Sequence, residues 1–204
     1  MSFSTEASLR SWERKVSWRR NRLLAAKRAH DAARVKKWRA YLKHAVWMVS
    51  VRKKQLDTLQ KRALRAAEAL VGVMEQGGNN TGPMVNKIIK ANGGDIGEPW
   101  CGDMCAYAYR QAGSKAVTRS WASVRLLGGV QGVRRVKTPQ PGDLVRFNFD
   151  HVGMYVKEAG MFIETIEGNT GASGAVSDSK TGGDGVYRKR RAKSLVNDYL
   201  RVTR

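Results

Sequence analysis

All of the glycines and prolines lie in the later part of the chain. Residues 1–71 contain neither, although the protein has 21 Gly and 4 Pro among its 204 residues. Gly and Pro most often interrupt helices, and this first segment is instead rich in Ala, Arg, Lys and Leu. The sequence therefore predicts a long helical extension followed by a domain with many turns.

Apolar residues in the extension repeat at the spacing of a coiled coil. From Val35 to Val73 they follow alternating steps of three and four, and Arg52 is the only charged member. A different apolar stripe runs from Leu9 to Ala26, and the register breaks at residues 27–34. Two arrangements fit this pattern: a hairpin whose first arm folds back onto the second, or a long helix that pairs with another copy. We favour the second, a homo-oligomer.

The boundary between the extension and the following domain is placed near residue 60. The helical pattern runs past this point, so it also allows a helix that is continuous from the extension into the domain. The Gly- and Asn-rich run at residues 77–82 has the composition of a linker, but we assign it to the domain. The predicted organisation is a basic helical, coiled-coil extension at residues 1–60 and a globular domain at residues 61–204.

The chain is strongly basic, and the excess is concentrated in the extension. Residues 1–76 hold 19 Lys and Arg against 6 Asp and Glu, out of a net charge of +21 for the whole chain. Such a field attracts nucleic acid, an anionic membrane surface, or the teichoic and other acidic polymers of a bacterial wall. Four tryptophans interleave with these cations, where they would either contact such a partner or pack inside a hairpin: Trp12, Trp18, Trp38 and Trp47.

No secretory signal or membrane span is expected. Charged residues recur from Glu6 onward without a sustained apolar stretch, and the apolar segment from Ala45 to Val51 is too short to cross a bilayer. Two cysteines do not make a disulfide scaffold, and no second Cys or His pair has the spacing of a zinc site. Cysteine is therefore free for catalysis.

Cys101 is the candidate nucleophile. It follows Pro99-Trp100 and opens a predicted helix that ends at Gly113. The backbone N–H groups at a helix start favour a thiolate and are suitably placed to receive an oxyanion. A buried structural thiol is the alternative, but Cys105, one turn later on the apolar side, fits that description better.

His151 is the candidate base. The other two histidines, His30 and His44, lie in the extension, so only His151 accompanies Cys101. A predicted strand covers residues 144–149, and His151 begins a second strand with alternating apolar residues. Taken alone, such a histidine is an ordinary surface residue, whereas beside a thiol it is a general base.

A carboxylate or amide follows the third predicted strand. Residues 161–166 lead into a predicted turn that contains Glu167 and Asn169. Either side chain could accept the second imidazole N–H and fix the tautomer of His151. Each could equally be an ordinary turn residue.

Four short motifs occur in a defined order: Pro99-Trp100-Cys101, Pro141-Gly142-Asp143, Asp150-His151-Val152-Gly153 and Glu167-Gly168-Asn169-Thr170. In this order they resemble a cysteine, histidine-dependent amidohydrolase/peptidase (CHAP) domain, and residues 66–80 and 85–94 resemble the leading helices of phage-encoded members. The resemblance implies an α+β, papain-like fold in which N-terminal helices pack on an antiparallel sheet. It also implies Cys101 as nucleophile, His151 as base, and Glu167 with Asn169 as orienting residues.

The resemblance further implies a peptidoglycan hydrolase, either a phage endolysin or a virion-associated lysin. Such an enzyme is made in the host cytoplasm and acts on the cell wall, or is carried in the virion. Three aromatic residues are candidates for a substrate groove, although each would also serve in packing: Trp100, Trp121 and Tyr155. The alternative is a non-catalytic virion structural or wall-binding protein whose basic coiled coil mediates assembly or polyanion binding.

No cofactor is expected. Some CHAP domains hold calcium through acidic residues before the nucleophile and an Asp two positions after it. Asp103 has the second position and Asp95 is a candidate for the first, but the spacing before Cys101 does not match that pattern well. Asp103 and Asp95 are therefore only weak calcium candidates.

Overall fold

The computed structural model describes residues 5–172 and 183–203. The chain divides into two compact units, with the boundary between Thr58 and Leu59. The first unit consists of helices α1 (Thr5–Arg28) and α2 (Ala32–Leu56). Ring contacts join the two helices at Trp18 with Trp38 and at Trp12 with His44, with centroids 5.2 and 5.5 Å apart. The first unit is therefore the helical hairpin, the first of the two arrangements that fit the sequence.

The helical segment is interrupted twice without a glycine or proline. His30 adopts a left-handed backbone (φ 52°), and Asp31 then caps α2 by accepting from the Arg34 N–H at 2.9 Å. At the second interruption the N–H of Asp57 donates to the carbonyls of Lys53 and Lys54. A new helix begins at Leu59, so the predicted alternative, a helix continuous from the extension into the domain, is wrong.

Within residues 59–172 and 183–203, the second unit contains three helices and six strands. The helices are α3 (Leu59–Glu68), α4 (Pro83–Ala91) and α5 (Cys101–Gln111), and short 3-10 turns lie at Arg119–Ala122, Leu127–Gly129 and Lys193–Leu195. The strands are β1 (Val133–Val136), β2 (Leu144–Phe147), β3 (Val152–Ala159), β4 (Phe162–Thr170), β5 (Gly185–Ala192) and β6 (Val196–Val202).

The six strands form one antiparallel sheet in the order β1-β6-β2-β3-β4-β5. Side chains alternate between two apolar clusters: Leu144 and Met154 belong to the cluster shared with the helices, whereas Val145 and Tyr155 belong to the second. Helices are therefore grouped against an antiparallel sheet, and the predicted α+β class is confirmed.

The sequence predicted β2 and β3 closely but misjudged the end of β4. Residues 167–170 were expected to form a turn, yet they continue β4 as far as Thr170, which pairs with Gly185 of β5. The pairing register shifts between Glu167 and Thr170, and Asn169 within that shift has φ of 54°. A β-bulge accounts for the difference, because residues that are typical of turns also occur in bulges.

None of the helices in the described part of the chain is both long enough and apolar enough to span a bilayer.

Candidate active site

Packing on both sides fixes the start of α5 at Cys101. The preceding Trp100 is completely buried, and its indole N–H donates to Glu75 Oε1 at 2.9 Å. On the other side, a Cβ at Gly102 would lie 2.2 Å from the carbonyl oxygen of Trp121, so only glycine allows that close approach. Cys101 is 6% exposed, and both it and Cys105 are free thiols.

His151 lies immediately before β3 and is held in an aromatic stack. Its ring lies nearly parallel to Phe149 at 14° and Phe147 at 24°, with centroids 5.8 and 5.9 Å away. Nε2 lies 2.9 Å from Glu167 Oε2, and the side chain of Cys101 is close enough to the ring to contribute to the raised pKa of His151. Because Glu167 occupies Nε2, Nδ1 is the nitrogen left for the thiol. The three side chains Cys101, His151 and Glu167 are thus brought together.

The carboxylate of Glu167 is completely buried, and it accepts hydrogen bonds from other side chains besides His151. Thr165 donates to Oε1 at 2.5 Å, and Arg191 donates through Nε to Oε1 at 3.0 Å and through Nη2 to Oε2 at 2.6 Å. This bidentate geometry is the strongest form of the guanidinium–carboxylate pair. It fixes the carboxylate plane and so the direction in which Glu167 presents Oε2 to His151.

The charged states of His151 and Glu167 support each other. Burial alone would lower the pKa of His151, but its hydrogen bonds to Cys101 and Glu167 outweigh that effect and raise the pKa to about 10. Burial would likewise raise the pKa of Glu167, but hydrogen bonds from His151 and Arg191 lower it to about 2. At neutral pH the imidazolium and the carboxylate are favoured, which is the arrangement that stabilises negative charge on a neighbouring sulfur.

Sequence reasoning missed Arg191. It lies in the run Arg188–Arg191 of β5, where all four side chains are basic, and such a run is normally a solvated surface. In the strand, Arg188 and Arg190 are exposed while Lys189 and Arg191 are buried on the other face. The period-two alternation of a strand was therefore present, but four residues of one charge concealed it.

Lack of space explains why the histidine motif ends in a glycine, Gly153. A Cβ there would lie 2.5 Å from Glu167 Cγ and 3.1 Å from the Ile166 carbonyl oxygen. The aliphatic part of the Glu167 side chain therefore packs against β3 at Gly153, where only glycine leaves it enough space. Gly153 thereby leaves room for the carboxylate to reach His151, which lies two residues earlier, immediately before β3.

Asn169 is not an orienting residue of His151 in this structure. With its amide oxygen accepting from the Trp100 N–H at 3.2 Å, its nitrogen donates to Asn80 Oδ1 and to the Gly183 carbonyl, each at 3.1 Å. Asn169 has a positive φ and lies within the bulge, where the regular alternation of side chains along the strand is interrupted. Of the two candidates that the sequence left open, Glu167 is the one that contacts the imidazole.

The three aromatic groove candidates are packing residues. Trp100 and Trp121 are completely buried, and the Trp121 indole N–H donates to the Ala116 carbonyl at 3.1 Å. Tyr155 is 6% exposed and meets Tyr199 edge to face in the second apolar cluster. None of the three offers a surface to a substrate, because their large apolar rings complete the core.

An open groove of about 680 Å³ passes Cys101 instead. The segment from Arg119 to Leu126 forms much of its lining, which sequence reasoning did not predict. A side chain of the sheet holds this segment in place. Arg146 on β2 donates hydrogen bonds to the carbonyls of Val124 and Arg125 at 3.2 and 3.3 Å. Other lining residues are Glu98, Pro99 and Asp150.

The two weak calcium candidates do not share a site. The side chain of Asp95 is 99% exposed and lies 3.5 Å from Lys90 Nζ. Asp103 is completely buried, accepts from Asn92 at 2.6 Å, and faces the Arg119 guanidinium at 3.5 Å. Burial raises the pKa of Asp103 to about 6, against the opposing effect of Asn92. The positive charge that faces this carboxylate is therefore the protein's own Arg119. Among the described residues, no cluster of three side chains that could hold a metal ion is present.

Compared with protein-family models, with curated proteins and with solved structures, the chain shows no significant match. The resemblance to CHAP domains therefore rests on the four short sequence motifs alone.

Proposed function

We propose that the unit beginning at Leu59 is a cysteine-dependent hydrolase that cleaves an amide bond in the peptide part of bacterial peptidoglycan. One observation carries the proposal: a single buried imidazole lies between the thiol at a helix start, which helps to raise its pKa, and a carboxylate held by arginine, to which it is hydrogen-bonded. Nucleophile, base and orienting group are the three parts that cysteine hydrolases need.

In the first chemical step, Cys101 Sγ bonds to the amide carbon of the substrate. The carbon–nitrogen bond then breaks, and the proton carried by His151 passes to the departing amine. A thioester between Cys101 and the acyl part of the substrate remains. Glu167 keeps its charge throughout and holds the imidazolium in position.

In the second step, water releases the acyl group. His151, now neutral, accepts a proton from water as the oxygen bonds to the thioester carbon. The carbon–sulfur bond breaks, so a carboxylic acid leaves and Cys101 regains its electron pair beside the imidazolium. The backbone N–H of Cys101, at the start of α5, is our candidate donor to the oxyanion in both steps.

We further propose that this unit is a papain-like CHAP domain and that the preceding hairpin is an antiparallel coiled coil. Support for the first comes from the motif order, from a nucleophile at a helix start, and from a base at a strand start. Support for the second comes from the repeat of three and four residues. Peptidoglycan as substrate rests on the resemblance, because the groove beside Cys101 is compatible with many peptides.

The test is clearing of purified bacterial walls by the full chain and by three variants. Cys101→Ala and His151→Ala should abolish clearing, by at least about 10³-fold, because each removes a group that makes or breaks bonds. Cys105→Ala is the matched control: this thiol is completely buried, and burial raises its pKa well above that of an ordinary thiol. It should lose little activity, and mass spectrometry of the fragments would identify the bond.

The competing function is a non-catalytic virion or wall-binding protein. It predicts that all four proteins bind walls equally and release no fragments. Full clearing by Cys101→Ala, or loss only in Cys105→Ala, would also refute the proposed mechanism.

A further inference from the structure

The helical hairpin carries two groups of aromatic rings, and the rings within each group are in contact. Edge-to-face contacts join Trp18 to Trp38 and Trp38 to Tyr41, with centroids 5.2 and 5.6 Å apart. A second group joins Trp12 to His44 and His44 to Trp47, at 5.5 and 5.7 Å. We call these six rings the aromatic face: Trp12, Trp18, Trp38, Tyr41, His44 and Trp47.

Basic side chains are placed directly over these rings. Lys15 Nζ lies 4.1 Å from the centroid of Trp12, and the Arg22 guanidinium lies 5.3 Å from that of Trp18. Arg19 and Lys37 lie 5.6 and 5.9 Å from the Tyr41 ring. Cations and aromatic rings are therefore combined in one surface.

Three rings of the aromatic face are open to solvent, and one of them, Tyr41, is 44% exposed. Trp18 is 51% exposed and Trp47 is 56% exposed, whereas large indoles are usually well buried. The surrounding charge is strongly positive, since the chain up to Thr58 holds sixteen Lys and Arg against four Asp and Glu. A surface of this kind is complementary to a partner that offers negative charge over a partly apolar layer.

We propose that the aromatic face docks on an anionic lipid bilayer, lying in the headgroup layer without crossing it. Tryptophan and tyrosine favour that layer because one part of each ring is apolar and another part is polar. Lysine and arginine beside them pair with acidic headgroups while their stems cover the rings.

The same geometry argues against single-stranded nucleic acid as the principal partner. Base stacking needs an open ring face on which the base can lie. The rings of Trp12, Trp18 and Tyr41 each have a cation over a face, and Trp38 meets two other rings edge to face. Trp47, which is 56% exposed and is tilted against His44, is then the indole most open to a base, and one open ring does not make a stacking platform. A headgroup layer needs only ring edges and cations, which this surface provides.

The experiment is flotation of the full chain with vesicles of phosphatidylglycerol and phosphatidylcholine at physiological salt. Vesicles of phosphatidylcholine alone, a single-stranded oligonucleotide and a soluble poly(glycerol phosphate) are the comparison arms. Binding should be at least about ten-fold stronger to the acidic vesicles than to neutral ones. Vesicle binding does not involve Cys101, so the outcome of this experiment is independent of the proposed catalysis.

Two variants remove equal charge from different sides of the hairpin. The pair Lys15→Gln with Arg22→Gln removes cations that lie over rings. The control pair is Arg20→Gln with Arg39→Gln, two residues from Trp18 and Tyr41 and so roughly 200° round each helix. The first pair should weaken vesicle binding by at least about ten-fold, and the control pair by less than about three-fold.

The exposed indoles are tested separately with Trp18→Ala and Trp47→Ala. Either change should weaken binding to acidic vesicles several-fold, with helix content followed by circular dichroism. Equal losses for the two charge pairs would overturn the proposal, because the surface would then act only through net charge. Tighter binding to the oligonucleotide or to the soluble polymer than to vesicles, lost in the tryptophan variants, would overturn it in favour of that partner.

Discussion

At the scale of single residues, the site depends on a charge that is completely buried. Glu167 is in contact with His151, Thr165 and Arg191, and no part of its side chain reaches solvent. A buried carboxylate is tolerated only when its partners compensate for lost hydration. Arg191 is therefore a positioning residue, because it acts on the imidazole through Glu167.

Removing Arg191 should destabilise the fold as well as the site. We expect Arg191→Met to lower the free energy of unfolding by roughly 3 to 5 kcal/mol, because Glu167 stays buried with fewer partners. Arg191→Lys should lose less, since it keeps the charge but not the bidentate geometry. Urea unfolding measures both changes.

The control for this substitution lies on the same strand. Arg188 pairs with Glu68 at 3.0 Å, and its side chain is 52% exposed. Arg188→Met should cost no more than about 1 kcal/mol, as expected for a surface pair. Equal losses at Arg188 and Arg191 would show that the buried pair has no special role.

The pair of His151 and Glu167 should also shape the dependence of stability on pH. The pKa of His151 is raised from 6.5 to about 10, so its stabilising contribution is complete below pH 6.5 and is lost as pH rises towards 10. The pKa of Glu167 is lowered from 4.5 to about 2, so its contribution is complete above pH 4.5 and is lost as pH falls towards 2. Together they favour maximal stability between pH 4.5 and 6.5.

Chemical denaturation of the wild type, His151→Ala and Glu167→Gln across this pH range tests the assignment. The alkaline loss of stability should be reduced in His151→Ala, and the acid loss should be reduced in Glu167→Gln. Parallel pH profiles for all three proteins would contradict it.

At the scale of secondary-structure elements, close approach of neighbouring atoms explains three glycines that lie in the motifs or directly beside them. Gly102 admits the Trp121 carbonyl to the start of α5, and Gly153 admits the stem of Glu167 to β3. At Gly168 a Cβ would lie 2.7 Å from Met104 Cβ and 3.0 Å from the Trp100 ring, so β4 packs directly on α5. These contacts fix the distance between the helix that carries the thiol and the strands that carry the imidazole and carboxylate.

Gly153→Ala should therefore disturb the site without removing any functional group. The added methyl displaces Glu167, so we expect a stability loss of roughly 1 to 3 kcal/mol and a fall in activity. Gly129→Ala is the matched control, because no atom lies within 4 Å of the position that an added methyl would take and its φ is not positive. Wall clearing and urea unfolding should show a large effect at Gly153 and almost none at Gly129, and similar effects at both would contradict this account.

At the scale of the whole molecule, local patterns predicted some elements and failed on others. The start of α5 at Cys101 and the strands β2 and β3 followed from motif and alternation, since a single stretch of sequence determines each. The hairpin did not follow, because the same apolar stripe can pair with its own chain or with another copy. The capping residue Asp31 was the local signal for the turn, and sequence reasoning did not use it.

The remaining features depend on residues that are distant in sequence. Burial of Arg191 requires Glu167, which precedes it by 24 positions, and the groove lining depends on Arg146 reaching carbonyls more than 20 positions earlier. The choice between Glu167 and Asn169 likewise depended on a bulge between β4 and β5. Such pairings are set by the assembled sheet, so the sequence could supply candidates for the site but not their contacts.

The most direct test of the central claim is the rate at which iodoacetamide alkylates Cys101, measured from pH 5 to pH 9 in a Cys105→Ala background. If His151 holds a proton beside an anionic sulfur, modification should remain fast at pH 6, and His151→Ala should slow it there by roughly 10²-fold. The variant should then regain rate as the pH rises, as an ordinary thiol does. Identical pH profiles with and without His151 would contradict the proposed pairing of thiol and imidazole.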